Sequence, residues 1–447
     1  MASSENIALR KAKPAGPLLF YAALLVLGRY SIRSSACASA VPTPTSSSMT
    51  SVALRNARWL VRGIGSELLS NVVTSPPPLR HRRLGRSGYG SVSRSVAVAV
   101  PTPPPETDEA ADGQRPPVPP SPAPVAVVTG ATGGIGLEIC RGLASDGYHV
   151  YAAARDPVRG KAVADRIRVE CGQSGGGGGG TGTGTATFVE WHADDPASSL
   201  SVASALRGRP VALLVNNAGT MGGVRSEILR VNLIGPASLT LALLPGLRLH
   251  PNPRVVNVGS SSHLRAGTVD PALLSDGGID GDLSAYGQSK LGTMLLSVLL
   301  RRSFPAIEAV DAHPGLVWTP MLRNNLGRRV ASMLEMTGIG GMLFKSPEEG
   351  AASILAAVLD DIRGDGPPSP SSPAAASVGC GEGRGSGQTY YVNCRPGGYA
   401  SPESSDELAS WRMWRDVLRP ALDAILPEAC REVEERGGAW KVFTDDP

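Results

Sequence analysis

The chain has 447 residues, room for about two or three domains, but 54 glycines and 38 prolines imply a folded core shorter than the chain. Its 43 lysines and arginines nearly balance 39 aspartates and glutamates, a net charge of +4, which argues against a globally basic nucleic-acid binder. The six cysteines (Cys37, Cys140, Cys171, Cys380, Cys394, Cys430) form no CxxC pair, so neither a zinc site nor a disulfide framework is indicated, and a reducing compartment fits.

Residues 1–121 read as a targeting or disordered leader. Before residue 106 the only acids are Glu5 and Glu67, while Arg, Ser and Pro-rich tracts such as TSPPP abound. The apolar run PLLFYAALLVL (17–27) follows Arg10, Lys11 and Lys13, but its length falls short of the roughly 20 residues that span a bilayer. It suits a signal-peptide core, with a small-residue ASA some way downstream at 38–40. In SVALRNARWLVRGIGSELL, Leu54, Val61 and Leu68 recur by sevens with Arg55, Arg58 and Arg62 elsewhere on the wheel. Such a helix over about 50–70 suits an organellar transit peptide or a peripheral membrane contact. An organelle is expected, the chloroplast favoured, with mitochondrion or endoplasmic reticulum membrane as alternatives. A Pro-rich linker (102–124) ends near residue 122, where the composition changes abruptly.

From 122 to 435 a single domain is expected. Short Val/Ala/Leu-rich strands (VAVVTG, HVYAAA, TATFVEWHA, VALLVNNAG, RVVNVGSSS, AIEAVDAHPG) alternate with helical segments. This alternation predicts an α/β fold, a doubly wound parallel sheet with helices on both faces. Two low-complexity inserts, 175–185 and 364–387, are too rich in Gly and Pro to pack and are expected as surface loops.

The first strand runs into TGATGGIG (129–136), and a helix follows. Gly130, Gly134 and Gly136 allow a tight turn and the close approach of a pyrophosphate to backbone N–H groups at the helix N-terminus. The second strand ends near Ala154, where an acid selective for NAD commonly stands; here Arg155 follows, a partner for the 2′-phosphate of NADP. Asp156 beside it would compete for that cation.

SAYGQSK (284–290) opens a helix in which Leu291, Met294, Leu295 and Val298 are apolar. Tyr286 and Lys290, four apart, share a face. An ammonium beside a phenol favours the phenolate and lowers its pKa from about 10.

TGATGGIG, NNAG (216–219), Asn232 in VNLIG, Ser260 in VVNVGSSS, YGQSK and HPGLVWT (313–319) occur in the order found in the short-chain dehydrogenases/reductases, which the chain resembles over about 122–430. ARD after the second strand, FKSPEEGA (344–351) and the C-terminal GQTYYVNCRPGGYASPESSDELASWRMW resemble the retinol-dehydrogenase-like branch. The resemblance implies Tyr286 as general acid and Lys290 as the group that lowers its pKa and holds the nicotinamide ribose. Ser260 would bond the substrate oxygen, and Asn232 would anchor a proton-relay water. Ser261 and Ser262 are adjacent candidates, with Ser260 best in register with VVNV. For the cofactor, NADP(H), it implies Gly130, Thr132, Gly134, Ile135 and Gly136 at the turn. Arg155 follows the second strand, Asn216, Ala218 and Gly219 lie along adenosine and ribose, and Pro314, Gly315, Val317 and Thr319 lie against the nicotinamide.

Two features depart from the branch. Only about a dozen residues separate NNAG from VN, so a segment before the fourth helix is missing, and WHADDP leaves His192, Asp194 and Asp195 as alternatives for the polar residue after the third strand. Trp318, Met321, Leu322 and Leu326 suggest an apolar lid and a lipophilic carbonyl or alcohol substrate. A protochlorophyllide-reductase-like enzyme and a non-catalytic NADP(H)-binding sensor or scaffold at an organelle membrane are the alternative readings. His192, His250, His263 and His313 lack ligand spacing, so no metal is expected.

Overall fold

Strand β1 (Val125–Thr129) is apolar at every position up to its last, because both of its sides are covered. Val125 and Val127 join one apolar cluster with Tyr151, Ala153 and Leu214; Ala126 and Val128 join another with Val150, Ala152 and Val215. Alternate residues face opposite sides of a sheet, so a continuous apolar run is stable only between two helical layers. The computed structural model describes residues 123–173, 184–275, 283–326, 328–337, 340, 343–359, 389–397 and 400–437. The expected leader, the insert at 364–387 and nearly all of the insert at 175–185 lie outside the described residues.

The sheet has the order β3-β2-β1-β4-β5-β6-β7-β8, with β2 (His149–Ala154), β3 (Thr185–Glu190), β4 (Val211–Asn216), β5 (Arg254–Val258), β6 (Glu308–His313), β7 (Tyr390–Val392) and β8 (Arg395–Pro396). All neighbours pair in parallel except β7 and β8. The expected doubly wound fold is present, and the antiparallel edge hairpin is an addition that sequence reading did not foresee. Asn393 and Cys394 at its turn have φ of 53° and 63°, the two positive values a two-residue hairpin turn requires.

Among the described residues the α-helices are α1 (Gly134–Ser145), α2 (Pro157–Gln173), α3 (Ser198–Ala205), α4 (Arg225–Leu229), α5 (Gly235–Ala242), α6 (Leu244–Leu249), α7 (Leu283–Ser303), α8 (Pro320–Leu326), α9 (Arg328–Met336), α10 (Pro347–Leu359), α11 (Glu407–Met413), α12 (Arg419–Leu422) and α13 (Pro427–Arg436). Apolar residues of α1, α2 and α10 pack on one face of the sheet; those of α3 to α7 and of the C-terminal α11 to α13 build the other. Helix α7 is buried on nearly every side rather than along one stripe, because the C-terminal helices cover it, with Ser410 Oγ donating to Leu295 O at 2.8 Å. The order reverses between β1 and β4, and in such sheets the crevice outside the C-terminal ends of the strands at this point is the usual ligand position.

A polar chain crosses this core beneath the crevice. Ser297 Oγ donates to Asp311 Oδ1 at 2.8 Å, Asn257 Nδ2 donates to Ser297 Oγ at 2.8 Å, and Asn216 Nδ2 donates to Asn257 Oδ1 at 2.9 Å. Burial raises the Asp311 carboxyl to about 7, against the opposing pull of the Arg301 charge and the Ser297 bond. The folded chain therefore binds a proton that the unfolded chain releases near pH 4, and stability falls as pH rises from about 4 to about 7. Asp311→Asn keeps an acceptor for Ser297 without the charge. It should stabilise the protein by about 1–3 kcal/mol at pH 8 and by much less near pH 4. Denaturant titrations at the two pH values check this; a gap between parent and variant that does not change with pH would contradict it.

Candidate active site

The glycine turn after β1 is shaped by contacts that exclude side chains. Gly130 has φ +67°, and a Cβ there would lie 3.0 Å from Ala218 Cα. A Cβ at Gly136 would lie 2.2 Å from Gly130 O, so α1 starts directly against the strand end. Gly134, at φ +55°, faces Thr319, whose Cγ2 would be 3.6 Å from an added Cβ. Thr132 and Ile135 are half-buried, and Ile135 also packs on the α1 and α2 side of the core. Close packing with no side chain in the way fits a dinucleotide held by backbone N–H groups at the start of α1.

Thr129 ties this turn to NNAG. Its Oγ1 accepts from Asn217 N and Ala218 N, both at 2.9 Å, while Asn217 Nδ2 donates to Thr129 O at 2.9 Å. Sequence reading singled out neither Thr129 nor Asn217, although a hydroxyl at a strand end beside a glycine turn is a usable signal. Asn216 stands apart from its expected place along the cofactor. Its side chain is 2% exposed and bonds Thr240 Oγ1 at 3.1 Å and Asn257 within the core. The cause is strand alternation: of two adjacent asparagines, one turns toward the crevice turn and the other away.

Three expected residues meet at one point. A Cβ on Gly219 would lie 3.1 Å from Asn232 Oδ1 and 3.6 Å from Lys290 Nζ. Lys290 Nζ is 5.9 Å from the centroid of the Tyr286 ring and donates to Val258 O, at the end of β5, at 2.9 Å. Burial lowers the ammonium to about 8. Asn232 sits in a π turn (Arg230–Ile234) between α4 and α5, a local widening common at functional sites. Its Oδ1 accepts from Thr220 N at 2.7 Å, and both Nδ2 hydrogens are used, on Thr220 O and Ser289 Oγ at 2.9 Å each. Ser289 Oγ in turn donates to Tyr286 O at 2.8 Å. The amide expected to anchor a water is thus a clamp joining the shortened NNAG segment to α7. A water would have the main chain or one Oδ1 lone pair to use.

Ser260 follows β5 two residues after Val258. It caps a 3₁₀ turn (Ser261–Arg265), accepting from Ser262 N at 3.2 Å and donating to Ser262 Oγ at 3.1 Å. Pro314, Gly315 and Val317 follow β6, and Gly315 has φ +83° with the Lys345 side chain against it. Arg155 is exposed beyond β2, and the neighbouring Asp156 spends its carboxylate capping α2, accepting from Val158 N and Arg159 N at 3.0 and 3.1 Å. Arg159, unnoticed in the sequence, reaches the turn from the first helical turn of α2, with Nη2 3.4 Å from Thr132 O. After β3, Asp195 Oδ1 accepts from Ala197 N at 3.1 Å in the turn before α3, and His192 pairs with Glu190. Of the lid residues, Leu322 is buried with Leu334 and Phe344, and Trp318 packs against them, 5.0 Å from Phe344. Met321 is half-buried, and the side chain of Leu326 lies outside the described residues.

The lysine carries a stability cost that its variants should reveal. Its pKa falls from 10.5 unfolded to about 8 folded, so the penalty is complete below pH 8 and is relieved as pH rises toward 10.5. Lys290→Met should therefore gain about 1–3 kcal/mol at pH 7 and nothing near pH 10.5. Thermal melts at both values decide it; a variant less stable than the parent at pH 7 would mean that the Val258 bond outweighs desolvation.

Comparison with known proteins agrees with this geometry. Residues 124–329 match the short chain dehydrogenase family. The mouse protein named polyprenol dehydrogenase is 39% identical over 270 residues, covering 56% of this chain and 77% of its own. Human dehydrogenase/reductase SDR family member 13 is 30% identical over 308 residues, covering 66% and 72%. Among solved structures, salutaridine reductase from Papaver somniferum aligns with a TM-score of 0.43 at 24% identity, over 55% of this chain and 97% of that one. A glycine turn behind a parallel strand, a Tyr–Lys pair on a buried helix and relatives of this identity lead to one conclusion: the chain belongs to the short-chain dehydrogenase/reductase family of oxidoreductases.

Proposed function

We propose that this protein is an NADP(H)-dependent oxidoreductase acting on a lipophilic carbonyl or alcohol, with Tyr286 as the acid–base group. The observation that carries the reading is the buried Lys290 ammonium beside Tyr286, held by Val258 at the end of β5. A nicotinamide cofactor, when bound, supplies or accepts the hydride. The chain's own residues handle the proton and the geometry. Lys290 stabilises the Tyr286 phenolate, so the phenol can give its proton to a developing alkoxide near neutral pH. Ser260, at the head of the turn that packs on α7, offers its hydroxyl to the substrate oxygen. Arg155, relieved of Asp156, and Arg159 beside the turn supply positive charge suited to a 2′-phosphate. The lipophilic substrate class draws on the polyprenol dehydrogenase relatives and on the apolar cluster of Leu322, Leu334 and Phe344. We also propose, from composition alone, that residues 1–121 direct the protein to an organelle, the chloroplast favoured.

The full-length protein with NADPH, tested on isoprenoid, retinoid and aliphatic aldehydes and ketones, examines the reaction. Tyr286→Phe keeps the ring but removes the proton donor, so turnover should fall by roughly 10² to 10⁴ with NADPH binding retained. Parent-level turnover in this variant would rule Tyr286 out as the acid.

Cofactor choice has its own check. Arg155→Ala should weaken NADPH by about 10- to 100-fold and leave NADH nearly unchanged. Equal losses for both would make Arg155 a structural residue.

A further inference from the structure

Behind Ser260 lies a buried imidazole that takes no part in the proton transfer proposed above. His263, 1% exposed, sits in the 3₁₀ turn that Ser260 caps. Its Nδ1 lies within hydrogen-bond distance of Ser260 O, which also accepts from His263 N at 3.2 Å. On the other side of the ring, Ser401 N donates to Nε2 at 3.2 Å. These two partners fix the tautomer. A carbonyl oxygen only accepts, so Nδ1 carries the hydrogen; a backbone N–H only donates, so Nε2 offers its lone pair. The ring is neutral, and both nitrogens are used.

The surroundings hold that ring rigidly. Tyr390 of β7 meets it edge to face, with centroids 5.5 Å apart, and a Cβ on Gly259 would lie 3.4 Å from the Tyr390 ring. A Cβ on Gly287, next to Tyr286, would lie 2.9 Å from Ser262 O, so the turn rests directly on the catalytic helix. The other titratable neighbours are His313 and Glu403; burial and His313 disfavour a charged imidazole, the Ser260 bond and Glu403 favour one, and the net direction is down, with burial the largest cause. Ser401 leads into a turn (Pro402–Ser405) that precedes α11, which packs on α7.

We infer that His263 is a positioning residue: its neutral ring, held in the Nδ1–H form by Ser401 N on its far side, clamps the main chain of Ser260 and so places the Ser260 hydroxyl. This rests on the function proposed above for Ser260 and Tyr286. A shift of Ser260 by about 1 Å is enough to cost on the order of 10²-fold in rate.

Two substitutions separate the halves of the clamp in the full-length protein. In His263→Asn the amide nitrogen stands where Nδ1 was, so the bond to Ser260 O survives and that to Ser401 is lost. In His263→Gln the longer amide reaches the position of Nε2, so the Ser401 bond survives and that to Ser260 O is lost. With NADPH and the best carbonyl from the panel, H263N should keep kcat within about 3-fold, while H263Q loses about 10-fold or more. The KM for NADPH and the melting temperature should stay similar in the two. Equal loss in both variants, or a larger loss in H263N, would overturn the inference. A ¹⁵N-histidine NMR spectrum of the parent, assigned by the signal missing from H263N, should show a neutral Nδ1–H ring at pH 7; an Nε2–H tautomer or an imidazolium would also overturn it. If the parent turns over no carbonyl, the proposed function fails, and the NMR result still decides the tautomer.

Discussion

Lys290 Nζ donates to Val258 O at 2.9 Å in surroundings that lower its pKa to about 8, so a charge that would be stable in water is held where it is barely stable. The chain tolerates this because the amine is fixed at both ends. Its backbone lies one turn from Tyr286 on a helix buried nearly all round, and its tip rests on the last carbonyl of β5. A flexible or exposed lysine would be screened and would tune a phenol far less. Burial of α7, to which the helices of residues 407–436 contribute, is therefore the condition for holding Lys290 in this state.

The same logic runs through the polar contacts. Thr129 joins the glycine turn to NNAG, Asn232 joins Thr220 to α7 through Ser289, and His263 joins the Ser260 turn to Ser401. Each of these side chains serves two elements at once, at the C-terminal edge of the sheet where backbone ladders end and the main chain needs other partners. Most are buried, so each bond lost would leave a stranded donor or acceptor, typically a penalty of about 1–3 kcal/mol. Strand ends placed in this way form a preorganised crevice, suited to holding a cofactor and a reacting carbonyl in fixed relation.

Much of this was legible in the residues. Continuous apolar strands, glycines at a strand–helix junction and a Tyr–Lys pair at helical spacing are local patterns with local causes, and β1 to β6 with α1, α2 and α7 follow from them. What was not legible depends on partners distant in sequence. The π turn around Asn232 leaves no periodic trace, since Thr220 and Ser289 stabilise it from other elements. The short β7 and β8 have too few residues for a strand pattern and take their place from pairing with β6. Asn216 and Asn217 look alike in NNAG, and only Thr129, Thr240 and Asn257 decide which one faces the turn. His263 reads as an isolated histidine because its partners are a carbonyl three residues back and an amide more than a hundred residues ahead.

The direct measurement follows the hydride itself. Full-length protein is incubated with NADPH deuterated at the nicotinamide C4 and a long-chain isoprenoid aldehyde, and the alcohol is examined by mass spectrometry. Transfer of one deuterium to the carbinol carbon, from one face of the nicotinamide only, is the result expected of a reductase built on Tyr286 and Lys290. Saturating NADPH binding with no deuterium in any product across the carbonyl panel would contradict it and leave a nucleotide-binding protein without this chemistry.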